Sequence, residues 1–189
     1  MSEFIRKHLK SIKRLEINEF NRENYLTLDK NENTQVLSRK LFSRIKKINF
    51  SKKIKLYPVL NDTYNLISKK FKINRKNILL THGSDIGIKM IYETYLENKQ
   101  TVMIQKPSYA MTEIYAKLFG AKIKFYSIND KLEIDYPQLH KTIKHHKVKI
   151  IFIETPNGFT GQEVNKADLV KILNYTKKKK ILIVLDEAY

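Results

Sequence analysis

The stretch Val148–Tyr189, VKIIFIETPNGFTGQEVNKADLVKILNYTKKKKILIVLDEAY, carries the pattern that decides the fold. Val148 to Glu154 and Ile181 to Asp186 are almost continuous apolar runs, and a helix-period segment lies between them near Lys166 to Thr176. A strand that is apolar at nearly every position, rather than at alternate ones, is covered on both faces. Such strands belong to parallel sheets whose crossovers are helices. Strand, helix, strand is one βαβ unit.

The same alternation extends toward the N-terminus. Ala121 to Ser127 reads as a strand, followed by a helix from about Tyr136 to His145. Thr101 to Gln105 is a strand, and Met111, Ile114, Tyr115 and Leu118 then share a helix face, with Gly120 as a C-terminal stop. Asn77 to Thr81 (NILLT) reads as a short strand before a helix bearing Ile88, Ile91, Tyr92 and Tyr95 at i, i+3, i+4 and i+7. Leu60, Tyr64, Ile67 and Phe71 mark an earlier helix, with Asn61 and Asp62 as caps. The first 50 or so residues lack this alternation. They read as one or two basic helices, Leu37, Leu41, Ile45 and Ile48 sharing a face, around an extended stretch from Leu26 to Thr34. The expected fold class is α/β, a parallel sheet with helices on both faces, with residues 1–50 as an N-terminal helical arm and 51–189 as the sheet domain.

Composition narrows the function. The chain of 189 residues is 42% hydrophobic and 11% aromatic, which suits a globular protein. It has no cysteine, so disulfides and cysteine metal sites are excluded. Met1 to Leu15 is polar and basic, without the apolar core of a signal peptide, and no run reaches the roughly 18 apolar residues of a membrane span. The expected location is the cytoplasm. The formal net charge of +18 raises a nucleic-acid partner as one reading. The lysines are scattered, however, with Lys177 to Lys180 the only long run, and Lys, Asn and Ile are abundant throughout, as in products of AT-rich genomes. No zinc-finger spacing or aromatic-interleaved basic motif accompanies them.

In open α/β sheets ligands sit beyond the carboxyl ends of the strands, so the loops there are the candidate site. After NILLT comes Thr81-His82-Gly83-Ser84-Asp85-Ile86, a glycine and then a helix start, where free N–H groups and the positive dipole end suit a phosphate. Ser84 or Asp85 as a plain helix cap is the competing reading, and His82 is taken as a bystander. After TVMIQ comes Lys106-Pro107-Ser108-Tyr109, where the Tyr109 ring could lie on a ligand or merely pack in the core. After VKIIFIE comes the sharp turn Thr155-Pro156-Asn157-Gly158-Phe159-Thr160-Gly161. After ILIVL come Asp186-Glu187-Ala188-Tyr189; an acid at the end of a buried strand needs a cation or a metal unless solvent reaches it.

In their order and spacing these segments resemble the aspartate-aminotransferase-like (fold type I) enzymes, and are most similar to histidinol-phosphate aminotransferases. The resemblance begins at Leu28-Asp29-Lys30-Asn31-Glu32-Asn33, with Thr34 where proline is usual, and runs through Tyr57-Pro58 and Gly83-Ser84-Asp85. Pro107-Ser108-Tyr109-Ala110-Met111, Ala116 to Ala121, Pro156 to Gly161 and Asp186-Glu187-Ala188-Tyr189 complete it. It implies the large domain of that fold, residues 51–189 being its first part. It also implies transamination of an amino acid or amino-phosphate with a 2-oxo acid, a homodimer, and a role in amino-acid biosynthesis.

The implied cofactor is pyridoxal 5′-phosphate, which acts as an electron sink. The resemblance puts Asp186 at the ring nitrogen, Tyr189 at the ring's phenolic oxygen, Tyr109 stacked on the ring, and the N–H groups of Ser84, Asp85 and Ile86 at the phosphate. Tyr57 matches a residue that reaches the phosphate from the neighbouring subunit. In the family's Asn-Pro-Thr-Gly turn the asparagine also contacts the phenolic oxygen; here that position is Gly158, so either Asn157 swings in or the contact is lost. The Schiff-base lysine of the family lies well after the Asp-x-Ala-Tyr motif, and no lysine here has the family's Ser-x-Ser-Lys context. The expectation is a fragment of an aminotransferase, inactive alone. The alternatives are a half-length protein that binds the cofactor or a partner chain without catalysis, and the basic nucleic-acid binder.

Overall fold

A computed structural model of the protein describes residues 4–13, 22–27, 32–33, 35–48, 50–53 and 55–189. They fall into two units, one drawn from Met1–Leu15 and Thr81–Tyr189, the other from Glu16–Leu80. The first 50 residues, expected as one arm, are therefore divided between them. Among the described residues no helix is long and apolar enough to cross a membrane.

The first unit is the expected parallel α/β layer structure. Its strands are β1 (Thr101–Lys106), β2 (Lys122–Ser127), β3 (Val148–Glu154) and β4 (Leu182–Asp186), all parallel in the order β2-β1-β3-β4. The chain passes outward from β1 to β2, then crosses back beside β1 to β3 and on to β4. The direction of winding thus reverses between β1 and β3. In an open α/β sheet the strand ends at such a switch point are the usual place for a ligand.

Helices cover both faces. Ile88 and Tyr92 of α4 (Gly83–Tyr95) and Ala116 of α5 (Ala110–Leu118) pack on Val102, Ile104, Ile150 and Phe152. Leu139 and Ile143 of α6 (Tyr136–His145) and Ile172 of α7 (Lys166–Lys178) pack on Met103, Tyr126, Ile151 and Ile153. The period-2 geometry of a strand divides β1 between the two cores in this way. Asp135 Oδ1 caps α6 through the Gln138 N–H at 3.0 Å, and Asn165 Oδ1 caps α7 through the Ala167 N–H at 2.8 Å. Near the N-terminus a 3₁₀ turn, Lys7–Leu9, packs on α5, with His8 Nε2 3.3 Å from the Leu118 carbonyl.

Two expected strands differ. β3 is buried nearly throughout, but β4 is only half-buried, with Leu185 36% exposed, because among the described residues it borders the sheet. Its apolar run reads like that of a central strand, and the strand order alone distinguishes them. NILLT forms no strand: Arg75–Asn77 is a 3₁₀ turn, and although Ile78 is extended, the segment joins no ladder among the described residues.

In the second unit, α1 (Arg39–Lys46) carries the face predicted for Leu41 and Ile45, and Ser38 Oγ caps it by accepting the Leu41 N–H at 3.2 Å. A short helix, α2 (Phe50–Lys53), follows. α3 (Asn61–Phe71) matches its predicted span, but its N-cap is Leu60 and no side chain caps it. Asn61 instead accepts from Arg75 at 2.6 Å. Leu28 to Asn31 and Thr34 of the Asn-Glu-Asn segment lie outside the described residues.

The cores bury two phenols, each satisfied by a carbonyl: Tyr92 donates to Thr112 O at 3.1 Å and Tyr126 to Phe152 O at 2.7 Å. Burial pushes both phenols well above their ordinary value, and nearby Glu154 adds to the effect at Tyr126. In the unfolded chain these groups ionise near pH ~10, whereas in the fold they stay neutral. A raised folded pKa gives stability that is complete below the unfolded pKa and is lost above it. Urea midpoints measured from pH 8 to 11.5 are therefore expected to hold to about pH 9.5 and then fall. Tyr126→Phe should flatten that fall, and a flat profile for the unmodified chain would contradict the burial of these phenols.

Candidate active site

β3 ends in Glu154, a carboxylate only 7% exposed. A buried carboxylate is tolerated when donors surround it. Its Oε1 accepts from Ser108 Oγ and from the Tyr109 N–H, both at 2.6 Å, and its Oε2 accepts from Asn157 Nδ2 at 2.9 Å. One side chain thereby joins the loop after β1 to the loop after β3.

Asn157 is the second brace. It is 1% exposed, and its other amide hydrogen goes to Pro107 O at 3.1 Å. Its Oδ1 accepts the N–H groups of Phe159 and Thr160 at 3.0 and 3.1 Å, which fixes the turn. Both donors of Asn157 are thus engaged inside the protein. A swing of Asn157 toward a ligand, one of the two alternatives the sequence left open, would break both bonds.

Joined to this brace through Tyr109 is the start of α4. Gly83, at φ 81°, turns the chain into α4, a left-handed conformation that glycine adopts without strain. His82 is the N-cap and offers no side-chain bond, so neither Ser84 nor Asp85 is the cap; both lie within the first turn, with Ile86 following. The amides at the start of that turn have no acceptor from the helix itself. Tyr109 is the N-cap of α5, 38% exposed, and its hydroxyl donates to Asp85 Oδ1 at 2.6 Å. This bond joins Tyr109 to the first turn of α4.

Asp186 pairs in register with Glu154 across β3 and β4. It is half-buried, and its Oδ1 accepts the Ala188 N–H at 3.2 Å. Among the described residues no three His, Cys, Asp or Glu side chains gather to hold a metal ion. At Gly158 an added Cβ would lie 3.0 Å from Cε2 of Tyr189. The Tyr189 ring thus occupies the room in which a side chain at position 158 would begin. Tyr57, in the other unit, is 99% exposed.

Glu154 and Ser108 were not singled out as site residues in the sequence. The signal for Glu154 was present, since it ends a buried strand just as Asp186 does; its three donors come from residues 3, 45 and 46 positions away, which no local pattern reveals.

The chain belongs to the aminotransferase class I and II family, whose model matches residues 19–189. Pyridoxal 5′-phosphate is the cofactor of that family. The histidinol-phosphate aminotransferase of Pelagibacter ubique is 35% identical over 170 residues, covering 88% of this chain and 45% of that protein. That of Clostridium kluyveri is 28% identical over 169 residues, with the same coverage of both. The chain thus spans a little under half the length of these relatives. Among solved structures, the histidinol-phosphate aminotransferase from Clostridium acetobutylicum superposes with a TM-score of 0.65 at 27% identity, over 78% of this chain and 42% of that one. The PLP-bound C-S lyase from Staphylococcus hominis, at 18% identity and a TM-score of 0.69 over 78% and 41%, shares the fold.

If Glu154 is the brace of both loops, Glu154→Leu leaves buried donors unpaired. It should then cost on the order of 3 kcal/mol, and Glu154→Gln, which keeps one acceptor, should cost less. Urea unfolding reads both; equal stability of Glu154→Leu and the unmodified chain would remove this role.

Proposed function

We propose that this chain forms the first part of a pyridoxal-phosphate-dependent aminotransferase that exchanges an amino group between an amino acid, or an amino-phosphate such as histidinol phosphate, and a 2-oxo acid. The observation that carries the reading is the bond between Tyr109 and the first turn of the uncapped helix α4, with Tyr109 also held by Glu154, the register neighbour of the strand-end acid Asp186, in a chain of this family. Similarity to histidinol-phosphate aminotransferases supports the amino-phosphate substrate.

The residues present suit the cofactor. The open amides of Ser84, Asp85 and Ile86 would hold its phosphate, since a helix N-terminus without a side-chain cap has N–H donors and positive potential to offer. Tyr109 would lie against the ring, held by its bond to Asp85. Asp186 would keep the ring nitrogen protonated, and Tyr189 would donate to the phenolic oxygen. When bound, the cofactor supplies an electron sink for a substrate carbanion. With glycine at 158, the donation made by the family's asparagine at that place is missing, and Tyr189 stands there without it.

The exposed Tyr57 suits a residue that completes a neighbouring subunit's site, which would make the assembly a homodimer in the cytoplasm. No lysine in residues 1–189 has the family's tethering context, so we place both the covalent tether and the base for the α-proton outside these residues. This reading excludes transamination by these 189 residues alone.

Two measurements test it. Mixed with pyridoxal phosphate and reduced with borohydride, residues 1–189 should show no single lysine modified above the rest by mass spectrometry; one specifically modified lysine would overturn the absent tether. For the ring contact, Tyr109→Ala should weaken cofactor binding on the order of tenfold, while Tyr109→Phe, which keeps the flat face and loses only the bond to Asp85, should weaken it much less. Equal losses would mean that the hydroxyl, not the ring, makes the contact.

A further inference from the structure

On the sheet face covered by α6 and α7, a cleft of about 770 Å³ opens beside the ends of β1 and β3. That is within the range of small-molecule sites, on the order of 300–1,000 Å³. Gln105 lines it from β1, on the side of the sheet that carries Met103. Gln105 is 3% exposed, and its Oε1 has no hydrogen-bond partner among the described residues. An acceptor buried without a partner is costly and uncommon, so this one points to a donor that the described residues do not supply.

The surroundings match that demand. Glu133, Asp135, Glu154, Glu163 and Asp168 line the cleft, five of the chain's 19 acidic residues, against Lys166 alone of its 37 basic ones. In a chain of net charge +18 this local balance is the reverse of the whole. Some of the acids also have internal partners: Asp135 caps α6, Asp168 pairs with Lys171 at 3.0 Å, and Glu133 accepts from Asn129 at 3.2 Å. The potential is nevertheless negative enough to be felt. The phenol of Tyr136, which also lines the cleft, is pushed up to about 12, first by burial and then by Asp168 and Glu133.

A metal ion does not suit this arrangement, because among the described residues no three potential ligands converge on one point. The acids are spread along the cleft. Acceptors spread along a cleft, with a buried amide oxygen among them, fit an extended cation with several N–H donors. We infer that the cleft is a binding site for an aliphatic polyamine, its ammonium groups donating to Gln105 Oε1 and to the carboxylates of Glu133, Asp135 and Glu163. The inference rests on the sheet and its loops and is independent of the cofactor reading.

Spermidine is the probe, titrated calorimetrically into the folded chain, with folding checked by far-UV circular dichroism. The chain's overall positive charge disfavours non-specific binding of such a cation, so saturable one-to-one binding reports the cleft. Hexamethonium, an extended dication without N–H donors, should bind at least about tenfold more weakly, since charge-assisted hydrogen bonds supply the recognition. Gln105→Leu removes the unpaired acceptor with little change of volume; it should fold and weaken spermidine binding on the order of tenfold. Should that core variant fail to fold, Glu163→Gln at an exposed position should still weaken binding severalfold. Absence of spermidine binding, equal binding of hexamethonium, equal competition by magnesium, or unchanged affinity in both variants would each overturn the proposal.

Discussion

A carboxylate at the end of the most buried strand must be satisfied on every side, and the upper edge of the sheet is arranged around that requirement. Glu154 ends β3, where solvent reaches it little, so its oxygens draw on Ser108, the Tyr109 amide and Asn157. Two of those donors belong to the loop after β1 and one to the loop after β3, the pair between which the winding of the sheet reverses. The interaction that neutralises the cost of burying the acid thereby also ties the two loops together. Tyr109 is held at its N–H by Glu154 and at its hydroxyl by Asp85, so its ring is fixed at both ends between two helix starts. A flat group held in this way is preorganised for a ligand and loses little freedom on binding.

Most of the layer structure was legible because apolar periodicity reports burial directly. α6 and β3 run over the residues that the pattern marks, and α4, α5 and α7 differ from it only at their ends. What periodicity cannot report is which strand lies beside which. Ile181 to Leu185 is as apolar as the interior of β3, yet β4 borders the described sheet and stays half-exposed. NILLT has strand composition but no neighbour to pair with among the described residues, and a strand exists only as one side of a ladder.

The candidate site divides in the same way. Tyr109 and Asp186 stood out because they lie at strand ends, where an open sheet binds ligands. Gly83, Ser84 and Asp85 stood out as a glycine before a helix start, and the segment ahead of them is no strand. Asn157 was harder to read. The sequence left open whether it reaches a ligand, whereas in the fold its amide is spent on Pro107, 50 positions away, and on Glu154. Gly158 was visible as a departure from the family's turn, but not its consequence. Without a side chain at that position the Tyr189 ring closes to within 3.0 Å of where a Cβ would stand, so the two positions are coupled through space.

The charge of the chain carries a parallel lesson about scale. A net +18 describes the whole sequence, and read alone it suggests a polyanion as partner. Binding, however, responds to the potential inside a concavity, where low-dielectric walls strengthen the nearest charges and distant surface lysines are screened within about 8–10 Å. In the cleft under α6 and α7 the nearest charges are acidic and the buried polar atom is an acceptor, opposite in sign to the average. The two sides of the β1 and β3 ends therefore differ in kind. The starts of α4 and α5 carry backbone N–H donors and positive dipole ends, and the cleft beside α6 and α7 is lined by acceptors. Glu154 and Gln105, one residue from each of the two strands at the switch point, stand between them.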